Sequence, residues 1–219
     1  MKRYIEIIKK CQLFNNISHE DILPMMKCLD GKIYNYSKDE TIISEGDEAK
    51  YVGIVLSGSV QIIRMDYYGN KSIVASIVPS EIFGESFACA NVREIPINAV
   101  AAENTTVLMV DCKKIIYSCI NTCHFHNTLI FNLMKILATK NILFNQKAEI
   151  TSKRTTREKL MTFLTLQAKK YRKNDFEITF DRQELADYLE VDRSGLSAEI
   201  SKLRNEGVIE CKRNFFKLL

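Results

Sequence analysis

The chain has 219 residues, 46% hydrophobic and 26% charged, the balance of an ordinary globular protein with a core of its own. No apolar run approaches the roughly 20 residues of a membrane helix, so no membrane partner is expected. The formal net charge is +4, and all of the excess lies in residues 151–219, which hold 15 Lys+Arg against 11 Asp+Glu, while residues 1–150 hold 16 of each. A basic segment joined to a neutral one suits a polyanion-binding module attached to something else.

The N-terminal stretch MKRYIEIIKKCQ is short and charged and lacks a small-residue cleavage site, so it does not read as a signal peptide and a cytoplasmic protein is expected. The seven scattered cysteines fit reduced thiols in a reducing compartment. Residues 1–10 and Ser18–Leu29 read as helices, the second N-capped by Ser18 with Asp21 three residues on. From Gly31 to about Asp111, short apolar runs alternate with turns marked by Gly46, Gly58, Gly69 and Gly84. That spacing predicts an antiparallel barrel or sandwich.

From about Cys112 to Thr151 there is no proline or glycine, and Leu129, Leu133, Ile136 and Leu143 recur in steps of three and four, flanked by Ile130, Met134, Leu137 and Phe144 and interrupted by Lys140. A helix of about 30 residues would span about 45 Å, too long to bury both sides on one small barrel, so these four residues are expected to form a dimer seam. Cys119, Cys123, His124 and His126 gather near its start, which raises the alternative of a redox- or haem-sensing regulator, by metal or haem ligation.

TSKRTTR (151–157) reads as a hinge, REKLMTFLTLQAKKY as a helix and FEITF as a strand. Asp181 and Glu184 form a capping-box pair that opens DRQELADYL, and Glu190–Asp192 make a turn in which Val191 plugs the corner. Asp192 or Ser194 then caps a second helix whose buried stripe is Leu196, Ile200 and Leu203, and Gly207 closes it. With that stripe inside, Arg193, Ser194, Ser197, Ala198, Ser201 and Lys202 face mostly outward. Arginine and serine at the start of a helix suit base edges and phosphates, with lysine further on. VIECKRNFFKLL completes the arrangement as a hairpin turning at Arg213–Asn214, with Lys212 and Arg213 aimed at phosphates.

QLFNNISHEDILPMM, DETIISEGDEAKYVGIVLSGSVQI, PSEIFGES and RQELADYLEVDRSGLSAEISKLRNEGVI, in this order, resemble the Crp/Fnr family of bacterial transcription regulators along nearly the full length. The resemblance implies an α+β chain in three parts. These are a sensor over 1–111, with an N-terminal cyclic-nucleotide-binding-like antiparallel β-roll, a dimerisation helix over 112–150 and a winged helix-turn-helix over 151–219. It implies a homodimer on double-stranded DNA, with RNA polymerase as a further partner if the protein activates.

The departures from the family pattern carry information. Its cyclic-AMP receptors carry a phosphate cassette, a Gly-Glu entering a short helix followed by an Arg-Ser. Here Gly84, Glu85 and Ser86 keep the first part, but Pro96 and Ile97 stand where Arg-Ser should, and neither offers a charge to a phosphate. The effector is therefore expected to be something other than cyclic AMP, with a cyclic-nucleotide response through Arg93 as the alternative; no cofactor is expected. The isolated Cys11 and Cys28 do not make the N-terminal thiolate set of the oxygen-sensing branch. On the reading helix Arg193 matches the family, whereas Ser194 and Ala198 replace a glutamate and an arginine, so a different operator is expected. A cupin-type metal enzyme would need histidines inside the barrel, and His19, His124 and His126 all lie outside residues 31–111. A helix-turn-helix turned over to protein binding is the remaining alternative.

Overall fold

The computed structural model describes residues 2–65, 67, 71–117, 125–178 and 180–219. The chain divides into two units, residues 1–139 and 140–219.

Unit 1 opens with helices α1 (Ile5–Lys10) and α2 (His19–Cys28). Ser18 Oγ accepts the Asp21 N–H at 3.2 Å as the N-cap, while the Ser18 hydroxyl donates to the Asp21 carboxylate at 2.6 Å. Strands β1 (Lys32–Tyr36), β2 (Thr41–Ile43), β3 (Tyr51–Ser57), β4 (Val60–Met65), β5 (Lys71–Ile77) and β6 (Ile82–Phe83) follow. Helix α3 (Glu85–Cys89) comes next, then β7 (Asn98–Ala101), β8 (Thr105–Asp111) and helix α4 (Cys112–Ile116). The strands form two four-stranded antiparallel sheets, β1-β8-β3-β6 and β2-β7-β4-β5.

Strand alternation divides the apolar residues of β3 and β8 between two cores. Val52, Ile54, Leu56, Leu108 and Val110 join the core built with the helices, and Val55, Val107 and Met109 join Val60, Phe83, Ile97 and Ala99 in the second. Gly53 is required by this packing, because a Cβ there would lie 2.3 Å from the Phe83 ring. Gly84 enters α3 at φ +77, which a side chain would strain.

The helical pattern expected to run unbroken from Cys112 stops at Ile116. Asp111 caps α4 by accepting the Lys113 N–H at 2.9 Å, and Tyr117 turns extended at φ −90, ψ 120. Helix α5 spans Phe125–Thr151. Its buried residues Leu129, Leu133 and Ile136 belong to the core of unit 1, with Leu13, Phe14, Leu29 and Ile115. Asn132 beside them donates to the carbonyls of Leu13 at 3.0 Å and Asn15 at 2.8 Å. Three positions of the expected seam are thus buried within the chain's own core, and the fourth, Leu143, is exposed.

Unit 2 takes the end of α5, then α6 (Thr156–Tyr171), β9 (Asp175–Glu177), α7 (Arg182–Leu189), α8 (Arg193–Asn205), β10 (Ile209–Lys212) and β11 (Phe215–Leu218). The strands form one antiparallel sheet, β10-β11-β9. Reciprocal capping boxes start α6 at Thr155 with Glu158 and α7 at Asp181 with Glu184. Leu160, Phe163, Leu185, Ala186, Leu196, Ile200, Leu203 and Phe216 share one core, to which α5 contributes Ile150. Among the described residues no helix is long and apolar enough to cross a membrane.

Candidate nucleic-acid interface

Helices α7 and α8 are joined by a three-residue turn. Glu190 takes the left-handed conformation at φ 53, and the Val191 N–H returns to the Ala186 carbonyl at 3.0 Å, while the Val191 side chain packs on the unit 2 core. Lys159 from α6 holds the Glu190 carbonyl at 3.1 Å. The α8 cap is Asp192, which accepts the Gly195 N–H at 2.9 Å and the Ser194 hydroxyl. These bonds, the Ser194 hydroxyl first, hold the Asp192 carboxyl below its ordinary range. At the other end the Gly207 N–H reaches the Arg204 carbonyl at 3.1 Å and the Val208 N–H the Leu203 carbonyl at 3.0 Å, with Gly207 at φ +71. This is a Schellman closure, and its left-handed position favours glycine.

Leu196, Ile200 and Leu203 are buried, as the periodicity predicts, and Arg193, Ser194, Ser197, Ser201 and Lys202 are all exposed. The Arg193 side chain makes no hydrogen bond or ion pair with the described residues. Ser194 and Ser201 have their hydroxyl protons engaged, with Asp192 and with the Ser197 carbonyl at 3.0 Å, so they offer mainly lone pairs. Lys212 and Arg213 are exposed at the β10–β11 turn, where Arg213 stands at φ 54.

Two supports of this surface carry no motif. Arg157 on α6 pairs with Glu206 after the end of α8, one of its bonds at 3.0 Å, and stands 3.6 Å from Glu199 in the middle of the helix. This pairing holds the Glu206 carboxyl low and the Arg157 guanidinium high. Arg182, at the start of α7, donates to the Arg213 carbonyl at 3.2 Å and lies over the Phe216 ring at 5.7 Å, which ties the hairpin tip to the helical pair.

In unit 1, Glu85 and Ile97 are buried, Gly84 is partly buried, and Ser86, Arg93 and Pro96 are exposed; the Ser86 hydroxyl donates to Glu85 at 3.3 Å. Ile97 belongs to an apolar core cluster with Phe83 and Ala99, where it can meet no phosphate by charge. A cavity of about 350 Å³ is walled by Tyr34, Tyr36, Tyr51, Ile43, Ile95 and Met109, with Lys32, Lys50, Asp47 and Glu48 among its polar lining. Lys32 pairs with Asp30 at 3.1 Å and Lys50 with Asp111 at 3.8 Å. Neither the glycines nor the cassette pattern pointed to this cavity. Its signal in the sequence is the alternation of Lys32, Tyr34 and Tyr36 on one face of β1.

Of the group expected as a metal or haem alternative, Cys119, Cys123 and His124 lie outside the described residues. His126 is buried, its Nε2 3.1 Å from the Lys114 carbonyl, where it links α5 to α4. Among the described residues no three His, Cys, Asp or Glu side chains gather as a metal site.

Residues 33–117 match the family model of the cyclic nucleotide-binding domain, and residues 158–219 that of the Crp-like helix-turn-helix domain. The chain is 24% identical over 187 residues to the transcriptional activator protein FnrA of Stutzerimonas stutzeri, covering 83% of this chain and 74% of that one. It is 26% identical over 188 residues to the transcriptional activator protein FnrL of Cereibacter sphaeroides, covering 80% and 71%. Among solved structures the fold is similar to that of the c-di-GMP-responsive global regulator CLP of Xanthomonas campestris, with a TM-score of 0.55 at 14% identity over 89% of this chain and 97% of that one.

Proposed function

The chain belongs to the Crp/Fnr family, whose members are transcription regulators rather than enzymes, and from that premise we propose that two copies of it bind one near-palindromic site on double-stranded DNA. Each copy inserts α8 into the major groove, the two helices about 34 Å apart along the duplex. The observation that carries this reading is Arg193. It stands at the first position of α8, exposed, its guanidinium engaged with no described residue, one turn before the exposed Ser197. There it can place its guanidinium fork on a guanine. Lys212 and Arg213 at the hairpin tip take the neighbouring phosphates. The loss of the glutamate and the arginine that Ser194 and Ala198 replace gives a site different from that of the well-studied members.

The dimer surface is the face of α5 opposite the buried one. At about 100° per residue, Phe131, Met134, Ala138 and Ile142 fall on one stripe, away from Leu129, Leu133 and Ile136. Phe131, Met134 and Ile142 are between 56% and 61% exposed in the single chain.

The effector is a small molecule other than cyclic AMP, a reading supported by Ile97 in the apolar core and by the tyrosine-walled cavity. The likeness to the transcriptional activators FnrA and FnrL favours activation, which brings RNA polymerase as a partner.

Selection from random duplexes at physiological salt, read by gel shift, tests the proposal. A symmetric site is expected. Arg193→Ala should cost about 1–3 kcal/mol on that site, roughly a 5- to 150-fold loss, and relax the base choice at one position in each half-site. Absence of a preferred symmetric sequence, or wild-type affinity in Arg193→Ala, would overturn it.

A further inference from the structure

Cys89 and Cys112 bring their sulfurs to 3.5 Å across 23 positions of sequence. Cys89 is the last residue of α3 and Cys112 the first of α4. Both belong to unit 1, and neither lines the tyrosine-walled cavity. Cys112 is 2% exposed, whereas Cys89 is only partly covered.

The two sulfurs share a hydrogen bond, and it acts on them in opposite directions. Foremost among the causes, it lowers the Cys89 thiol below its ordinary range and raises the Cys112 thiol, which burial raises further. Cys89 is thus the sulfur that ionises and can be reached. Cys112 keeps its proton and stands behind it. A charge on Cys89 opposes one on Cys112, as do the nearby Asp111 and Glu85 carboxylates, and Glu85 opposes charge on Cys89 as well. A disulfide needs its sulfurs at about 2.05 Å, so closure asks them to approach by roughly 1.5 Å.

From this juxtaposition we propose that Cys89 and Cys112 are a reversible dithiol–disulfide site through which a peroxide staples α3 to α4. The Cys89 thiolate attacks one oxygen of hydrogen peroxide. The O–O bond breaks, and the departing hydroxide takes a proton to become water, leaving Cys89 as a sulfenic acid. The Cys112 sulfur then attacks the Cys89 sulfur, its proton passing to the leaving hydroxyl as the S–O bond breaks and a second water departs. Two thiols and one peroxide give one disulfide and two waters, and a thiol reductant reverses the change.

The staple closes on the helix that carries Glu85 and Ser86. Oxidation therefore fixes α3, which begins directly after the left-handed Gly84, to the helix that follows β8. Among intracellular proteins, disulfides are mostly transient and redox-sensing. A half-covered thiolate with a buried resolving thiol behind it suits that use.

The test is hydrogen peroxide at stoichiometric and small excess amounts on the full chain, followed by alkylation of free thiols, proteolysis and mass spectrometry. The expected product is a peptide linked through Cys89 and Cys112, lost again on reduction, with free thiols falling from seven to five. Cys112→Ser should stop at a Cys89 sulfenic acid that a cyclic 1,3-dione traps. Cys89→Ser should leave Cys112 as the thiol. Hydrogen exchange over residues 85–90 should slow on oxidation of the wild type and stay unchanged in Cys89→Ser. A peroxide dose that modifies Cys89 without linking it to Cys112, a link from either to another cysteine, or a Cys112 that reacts in Cys89→Ser as fast as Cys89 does in Cys112→Ser would each overturn the proposal. All of these readouts are made without DNA, so they stand or fall separately from the operator reading.

Discussion

Asp192 and Ser194 compete for one role in the sequence, since both can cap a helix and both stand where α8 begins. The structure gives the cap to Asp192 and makes Ser194 its donor, because a carboxylate two residues ahead of a hydroxyl can accept from it and from the Gly195 N–H together. Ser194 therefore supports the reading helix more than it reads. Ser194→Ala should leave the preferred operator unchanged, and the Asp192 carboxyl should titrate at a higher pH than in the wild type, because its largest stabilising partner is gone. Carbon-detected NMR titration of the Asp192 carboxyl checks this; an unmoved titration, or a changed operator, would contradict it. Gly195 is the second case at this scale. A glycine inside a helix looks like a concession to close approach, yet a Cβ there would meet only Asp192 Oδ2, at 3.8 Å. In the free protein Gly195→Ala should stabilise unit 2 by up to about 1 kcal/mol, read from the urea midpoint. If that variant also loses DNA affinity, the glycine is kept for the backbone's approach to DNA rather than for folding.

At the scale of elements, the alternation of strands and turns between Gly31 and Asp111, and the two helices around Val191, were legible because each follows from a local period or cap. The long helix was legible in its period and not in its partner. A stripe at 129, 133 and 136 states that this face is buried; it does not state whether the chain's own core or a second copy buries it. Unit 1 takes that face, through Leu13, Phe14 and the carbonyls that Asn132 binds. The break after Ile116 was illegible for a related reason: no proline or glycine marks it, and Tyr117 leaves the helix only in its backbone angles. Arg157 and Arg182 were missed because neither an ion pair between helices nor a guanidinium bond to a hairpin carbonyl carries a spacing rule. The two faces of α5 give opposite predictions. Leu133→Ala removes buried methyl groups and should destabilise the chain by about 2–5 kcal/mol while the folded protein keeps its oligomeric state. Met134→Lys together with Phe131→Asp should leave the far-ultraviolet circular dichroism unchanged and halve the mass found by sedimentation. A dimer that survives the pair of exposed substitutions would place the interface elsewhere.

At the scale of the whole molecule, acid distinguishes what holds unit 2 in shape. Three of its carboxylates are held below their ordinary range by local partners: Glu158 by the Thr155 N–H at the start of α6, Asp192 by the Ser194 hydroxyl, and Glu206 by Arg157. A carboxyl whose folded pKa lies below its unfolded value binds its proton more readily in the unfolded chain. Its contribution to stability is therefore complete above the unfolded value, near pH 4, and is lost as the pH falls through the lower folded value. All three carboxylates guard helix ends, two at the start of a helix and one after its close, so their protonation frees α6 and α8 together. Unit 2 should thus lose stability as the pH falls below about 4, with amide protection in residues 156–206 declining over that range. Arg157→Ala supplies the control. Without the guanidinium the Glu206 carboxyl returns toward its ordinary value, so the variant should be less stable than the wild type at neutral pH, with the difference shrinking as the pH falls below 4. A difference that stays constant through acid would mean that Arg157 acts by packing its stem against α8, and that the clamp on the reading helix is steric rather than electrostatic.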